Sequence, residues 1–353
     1  QSENLVDITD QVARQIVEDF PFLPVKYENG TYANNRDYPN AEGTMSSVHR
    51  LEGRKYILNT QTTLGSVYTN ITLAKGLEMR TVLGANVVTQ ENNEAINSTL
   101  NTNGQGQSQT SNEKQSFWSL ENYLTYTKTF SDIHSITALL GLSWQEQNRF
   151  YINQDVRNFP SDYFLFNNMG AGNDNKVLTS NATRHALNSY FGRVNYSLMG
   201  KYLLTVTGRA DGSSKFGENN KWGYFPSAAL GWRVSEEDFL KNSNVISNLK
   251  LRTSIGSTGN SEIASYQSLD LLGTYTAVLN NTRTSGIGIG RLANPELKWE
   301  KTTQTDFGVE IGFLNNRINI EADIYYRKTT DMLLNAPVPT SSGYSVITRN
   351  IGS

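Results

Sequence analysis

Along residues 317–327 the side chains change character at every step: Ile318, Ile320, Ala322, Ile324 and Tyr326 alternate with Arg317, Asn319, Glu321, Asp323, Tyr325 and Arg327. In an extended strand successive side chains leave opposite faces, so this spacing makes one apolar and one charged surface. Wound into a helix, the same residues would scatter around the cylinder. Immediately upstream, Phe307, Val309, Ile311 and Phe313 alternate with Asp306, Gly308, Glu310 and Gly312. Asn315-Asn316 lies between the two runs and suits the left-handed backbone of a tight turn. The two runs predict one β-hairpin with an apolar and a polar side.

The same period recurs through the chain. Val67, Thr69, Ile71 and Leu73 precede a turn at Lys75-Gly76, and Leu77, Met79, Thr81, Leu83, Ala85 and Val87 follow it. Trp118, Leu120, Leu124 and Tyr126 lead through a turn near Ser131-Asp132 to Ile136, Ala138, Leu140, Leu142 and Trp144. Tyr190, Gly192, Val194, Tyr196 and Leu198 pass through Met199-Gly200-Lys201 into Tyr202, Leu204, Val206, Gly208 and Ala210. Tyr224, Ala228, Leu230, Trp232 and Val234 join, across 235–246, to Leu249, Leu251, Thr253 and Ile255. About ten strands in five hairpins are expected, an all-β antiparallel, up-and-down arrangement.

Connections choose among all-β classes. Within hairpins the links are mostly two or three residues, whereas 91–115, 150–184 and 259–296 are long and rich in Asn, Gln, Ser and Gly. Soluble sandwiches keep their loops to roughly 4–6 residues at both ends. Alternating short and long connections belong to an outer-membrane β-barrel, with short periplasmic turns and long extracellular loops. Face chemistry agrees, since Arg193, Arg209, Arg233, Lys250, Arg252, Glu310, Glu321 and Asp323 all fall on the polar sides of their strands. A wet lumen solvates such charges and lipid does not. Tyr202, Trp144, Phe313 and Tyr326 sit near strand ends as candidates for interfacial aromatic girdles. The alternative is a soluble or secreted all-β carbohydrate-binding or adhesin module, whose apolar sides meet a second sheet.

Two regions depart from the pattern. Leu5, Ile8, Val12 and Ile16 have helical spacing before Pro21 and Pro24, which predicts a short helix or irregular lead-in. Segment 235–243 predicts a capped helical turn, with Ser235 as N-cap, acidic residues at the positive end and Lys241 near the other.

Composition removes whole functional classes. Among 353 residues, 31 Lys and Arg against 33 Asp and Glu give a net charge of −2, so no basic footprint for nucleic acid exists. Cysteine is absent, and with it disulfides, thiolate metal sites and cysteine nucleophiles. No run approaches the ~18 apolar residues of a spanning helix. The first residues have no basic and apolar leader, so any signal peptide is expected to be removed or to lie in chain beyond this sequence.

Four stretches carry a more specific likeness. GRADGSSKFGENNKWGYFPSAALGWRVSEEDFL at 208–240, LKLRTSIGSTGNSEIASY at 249–266, NPELKWEKTTQTDFGVEIGFLNNRINIEADIYYRKTTDMLL at 294–334 and SYFGRVNYSLMGKYLLTVTGRAD at 189–211 resemble, in order and spacing, the barrel of the SusC/RagA family of TonB-linked outer-membrane transporters. PFLPVKYENGTY at 21–32 and TLAKGLEMRTVLGAN at 72–86 are similar at lower specificity. The resemblance implies that residues 1–353 form part of a larger transmembrane barrel, the family's plug, TonB box and C-terminal strands lying outside it. It further implies import of large nutrients, oligosaccharides or peptides, in partnership with a SusD-like surface lipoprotein, TonB and outer-membrane lipid.

Catalytic chemistry has little to stand on. His49, His134 and His185 are isolated, no HExxH, GxSxG or Walker pattern occurs, and GIGIG at 286–290 misses the GxGxxG spacing because residue 291 is Arg. The expectation is a non-enzymatic protein without cofactor or metal. Asn173-Asp174-Asn175, or Asp211 with Glu218, could offer oxygen ligands to calcium, but neither fits an EF-hand and turn formation is the simpler role. Ligand recognition should fall to loop aromatics, because a sugar's CH face stacks on a ring while its hydroxyls need amides or carboxylates. Tyr163, Phe164 and Phe166, beside Asn167 and Asn168, are the densest such cluster; Phe216, Trp222, Tyr224 and Tyr275 are further candidates. The same DYFLF segment could instead anchor its loop or meet the capping lipoprotein.

Overall fold

A computed structural model of the chain describes residues 2–3, 16–34, 37, 45–101 and 104–353, with backbone only for Ser2, Glu3, Asp174 and Asn175. Among the described residues, eleven antiparallel strands form one sheet in near-sequential order. They are β1 (Ser2–Glu3), β2 (Arg54–Ala74), β3 (Leu77–Ile96), β4 (Gln107–Phe130), β5 (His134–Arg157), β6 (Asp174–Leu198), β7 (Tyr202–Ser213), β8 (Trp222–Arg233), β9 (Ile246–Asn260), β12 (Glu300–Phe313) and β13 (Ile318–Thr330). Two separate hairpins complete the strands: β10 (Leu271–Leu279) with β11 (Thr282–Arg291), and β14 (Leu333–Pro337) with β15 (Val346–Asn350). Apart from the two-residue β1, the sheet contains the ten strands and five hairpins that the periodicity predicts.

The tight turns are where the sequence placed them. Gly76, Ser131, Asp132, Met199, Gly200, Asn315 and Asn316 all have positive φ, as two-residue and slightly longer hairpin links demand. The connection between β8 and β9 differs from expectation: Val234–Glu236 is a 3-10 turn preceded by Arg233, and no side chain caps it. Ser235 therefore lies inside the turn rather than at its N-cap. Of the predicted N-terminal helix, Leu5, Ile8 and Val12 lie outside the described residues, while Ile16, Val17 and Glu18 are helical. A short helix α1 (Ser47–Gly53) follows, its N-cap Ser46 accepting from the His49 amide.

Strands β2 to β6 are 20 to 25 residues long, whereas crossing a bilayer takes about 9–11. The expected loops 91–115 and 150–184 shrink accordingly to 97–106 and 158–173. These strand extensions are rich in Asn, Gln, Ser and Thr on both faces. Strand pairing in water requires no apolar side, so the period-two signal fades while the ladder continues. The third long connection, 259–296, holds the β10–β11 hairpin, turned by Asn280 and Asn281 at positive φ.

Strand register aligns the two faces across β6 to β9, β12 and β13. Val194, Val206, Ala228, Ile255, Thr305 and Tyr326 are successive cross-strand partners, and so are Tyr196, Leu204, Leu230, Thr253, Phe307 and Ile324. One step along each strand, Arg193, Thr207, Ser227, Gly256, Gln304 and Arg327 form the opposite kind of row. The apolar rows are open to their surroundings: Leu230 is 57% exposed, Ile255 53% and Ile324 76%. In a sandwich these residues would be its core, so their exposure removes that alternative and fits a wall bathed in lipid.

By contact density the chain comprises two compact units, residues 1–64, 86–117 and 148–183 in one and residues 65–85, 118–147 and 184–353 in the other. Each has its own small core. In the first, Ala95, Val156, Phe159 and Leu165 pack together; in the second, Phe216, Phe225, Leu297 and Trp299.

Candidate functional site

The polar face of the second unit carries a compact ionic group. Arg252 on β9 reaches Glu321 at 2.5 Å and Asp323 at 2.8 Å, both on β13, and Glu310 on β12 at 3.4 Å. Lys250 meets Glu310 at 3.0 Å. Period two brings these charges to one face, and the β9–β12–β13 register, in which Lys250, Glu310 and Glu321 are direct neighbours, brings them within reach. The five charges are partly exposed and are paired with one another.

At the loop end of this unit the connection 214–221 is buttressed by the segment leading into β12. Phe216 is 1% exposed and Leu297 fully buried, with Phe216 and Phe225 against the Trp299 ring at 5.2 and 5.5 Å. The Trp299 indole donates to the Lys221 carbonyl at 2.8 Å. Only glycine fits at 217, where a Cβ would lie 1.9 Å from the Pro295 oxygen. Asp211 is held by Arg209 at 2.8 Å, and Arg209 also donates to Ser189. The DGSSKFGE segment is thus an ordered structural knot. Phe216, a sequence candidate for ligand contact, is interior and cannot serve.

Aromatic residues bracket the apolar face. At the turn end Tyr202 stacks on Trp232 with ring centroids 6.4 Å apart, and at the loop end Tyr190 stacks on Trp222 at 5.7 Å. Glu237, in the β8–β9 connection, ties the turn end together: it accepts from the Tyr202 hydroxyl at 2.7 Å, the Trp232 indole at 3.0 Å and Lys201 at 3.1 Å. These three donors, the Tyr202 hydroxyl first, hold the Glu237 carboxyl below its ordinary range. The sequence pattern predicts these acidic residues at the positive end of a helical turn. The partners of Glu237 come from two other places in the chain, and only the girdle position of Tyr202 hinted at them.

The aromatic candidates fall into three settings. Tyr163, Phe164 and Phe166 share the 158–173 loop of the first unit: Tyr163 is 85% exposed, Phe164 is partly exposed and edge-on to it at 6.0 Å, and Phe166 packs on the Leu165 core with Lys55 over its ring at 5.3 Å. Trp222 and Tyr224 point to the apolar side, in step with Ala228 and Leu230. Tyr275 lies on β10 beside Gly288, and its hydroxyl donates to the Ile289 carbonyl at 2.8 Å. Among the described residues no three His, Asp or Glu side chains converge as a metal-binding group. The side chains of Asp174 and Asn175 lie outside those described.

Comparison with known proteins returns one architecture. Residues 8–353 match the family model described as TonB dependent receptor-like, beta-barrel. A TonB-dependent receptor of Formosa agariphila, P39, is 38% identical over 293 residues, covering 81% of this chain and 28% of its own length. The TonB-dependent receptor SusC of Bacteroides thetaiotaomicron is 45% identical over 184 residues, or 50% of this chain and 18% of that protein. Among solved structures, the RagAB peptide transporter superposes with a TM-score of 0.83 at 27% identity, covering 92% of this chain and 36% of the matched one. The chain therefore spans between 18% and 36% of the length of these matched proteins.

Proposed function

This chain belongs to the TonB dependent receptor-like β-barrel family of the outer membrane, and from that premise we propose that it forms one arc of the wall of a nutrient importer. The cargo is a large polar molecule, an oligosaccharide or a peptide, too big for passive pores. A SusD-like surface lipoprotein captures it, and TonB drives its entry from the periplasmic side. The chain contributes structure, selectivity and passage, with no bond made or broken.

The observation that carries this reading is the register-locked division of faces. Apolar rows are open on one side, and Lys250, Arg252, Glu310, Glu321 and Asp323 line the other. Lipid requires the first and water the second. RagAB is a peptide transporter, which supports the peptide class, while the oligosaccharide class is what the family resemblance implies.

Purification of the full-length protein from detergent-solubilised outer membranes tests it. A lipoprotein recovered in equal amount, with short peptides or glycans retained, is the expected result. Isolation as a lone chain, together with unchanged growth on all such nutrients after deletion of its gene, would refute it.

A further inference from the structure

Two lysines stand on the outward side of the wall, where the apolar rows end. On β13 the outward run from Ile318 to Tyr326 is followed, at the next outward position, by Lys328, and on β12 the outward positions Phe307, Thr305 and Thr303 lead to Lys301. Lys301 pairs with Thr330 and Lys328 with Thr303, so the two lysines are diagonal neighbours with backbones about 7–8 Å apart. Lys328 is exposed and Lys301 partly so, and among the described residues neither ammonium has an ion-pair or hydrogen-bond partner. Their row-mates Ser257, Gly259, Thr303 and Thr330 are uncharged.

Strand tilt sets the depth of this pair. Ala228, midway between Tyr224 and Trp232, lies near the centre of the apolar band, and its row continues through Ile255 and Thr305 to Tyr326. Three strand spacings of about 4.8 Å at a tilt near 40° climb ~9 Å, enough to carry that row from the centre of the band to its edge. Tyr326 marks that edge, as interfacial aromatics do, and Lys328 lies beyond it at headgroup level. β12 starts and β13 ends on the side of the long connections, which is the extracellular side.

Deeper on the same face, a groove of about 630 Å³ lies between Tyr190 and Tyr224, floored by Gly192, Gly208, Ala210 and Pro226. Nothing in the chain requires glycine at 208: its φ is not positive, and a Cβ there would meet no atom within 4 Å. Glycine weakens a strand interior, so no contact within the protein accounts for the space. Three strand spacings, about 14 Å, separate Pro226 from Lys328, close to the ~15 Å depth of one leaflet. An acyl chain whose head is held at the lysines can therefore end in the groove.

We infer that Lys301 and Lys328 bind a phosphate of a phosphorylated, multiply acylated glycolipid of the outer leaflet, one of whose chains lies in the groove over Gly208. Two ammonium groups at this spacing bracket one phosphate, whereas a zwitterionic head would bring its own cation against them. Unpaired cations beside hydrocarbon are unfavourable, and a lipid phosphate supplies the counter-charge that no side chain does. The extracellular leaflet of an asymmetric outer membrane is built of such glycolipids, and glycerophospholipids occupy the other. The site uses only the outward face and is independent of the cargo.

Full-length protein in mild detergent, stripped of bound lipid and titrated with lipid A, dephosphorylated lipid A or phosphatidylglycerol, tests the assignment by native mass spectrometry. Lipid A should be retained most strongly. Removing its phosphates, or combining K301Q with K328Q, should weaken retention at least about 10-fold, the range for lost charge-assisted hydrogen bonds. K301R with K328R should restore it. G208V fills the groove with a side chain suited to a strand, so it should weaken lipid A retention while heat-modifiable migration changes at or above the wild-type temperature. Undiminished retention by K301Q/K328Q or by G208V, preference for phosphatidylglycerol, or a second copy of the chain in place of lipid would overturn the site.

Discussion

Ala228 and Ala229 are neighbours in β8 with the same side chain and opposite surroundings. Ala228 belongs to the apolar row with Val206 and Ile255, while Ala229 pairs with Thr205 and Ser254 on the polar side. Ala228 is also midway between Tyr224 and Trp232, four residues from each. At about 3.3 Å per residue that is ~13 Å of strand, or ~10 Å of depth at a tilt near 40°, which places Ala228 close to the centre of a ~25 Å apolar band. A228R must bring a guanidinium to that depth and should cost about 2–4 kcal/mol of stability. A229R should cost under about 1 kcal/mol, because its side chain enters a polar row that includes Asp306 on β12. Denaturant titration of the full-length protein refolded into lipid vesicles, with each variant against wild type, reads the difference directly. Equal costs, or a larger cost for A229R, would refute the division of faces.

Three further outcomes follow from the same contacts. Phe216→Ala should remove about 3–5 kcal/mol from the loop-end core and open 214–221 to limited proteolysis while the strands stay protected. The Glu237 carboxyl is held below its ordinary value of 4.5, so its stabilisation is present above that pH and lost as pH falls through the lower folded value. Acid unfolding of wild type should therefore show a component missing in Glu237→Gln, and identical acid profiles would contradict the clamp. Arg252→Ala should leave Glu310, Glu321 and Asp323 facing one another, and Glu321→Gln in that background should recover part of a loss of under about 1 kcal/mol, small because the group is half exposed.

The wall was legible because lipid and water impose opposite demands on alternate residues. Ile318 to Tyr326 could satisfy both only as a strand, and Met199-Gly200 or Asn315-Asn316 could turn only between strands. The extensions of β3 to β6 were hidden for the converse reason: with water on both sides, 88–96 and 107–117 need no alternation. The β10–β11 hairpin had a usable signal in Asn280-Asn281 flanked by Tyr275 to Leu279 and Thr282 to Ile289, but its glycines dilute the period. At the candidate site, adjacency in sequence grouped Tyr163 with Phe164. What sets them apart from Phe166 is burial around Leu165 and the hydrogen bond from the Ser98 amide to Asp162, long-range contacts that no local spacing encodes.

These 353 residues contain no cysteine, so with any cysteine elsewhere in the full-length protein replaced, labels introduced here give the most direct measurement of the central claim. Single cysteines placed in turn at 226 to 232 of the full-length protein, spin-labelled and reconstituted in lipid, can be probed for collisions with oxygen, which concentrates in hydrocarbon, and with a water-soluble nickel complex. Even-numbered positions should favour oxygen, most strongly at 228, and odd-numbered positions nickel. A flat profile, or even-numbered labels shielded from both reagents by packed protein, would contradict a wall with lipid on one side and water on the other.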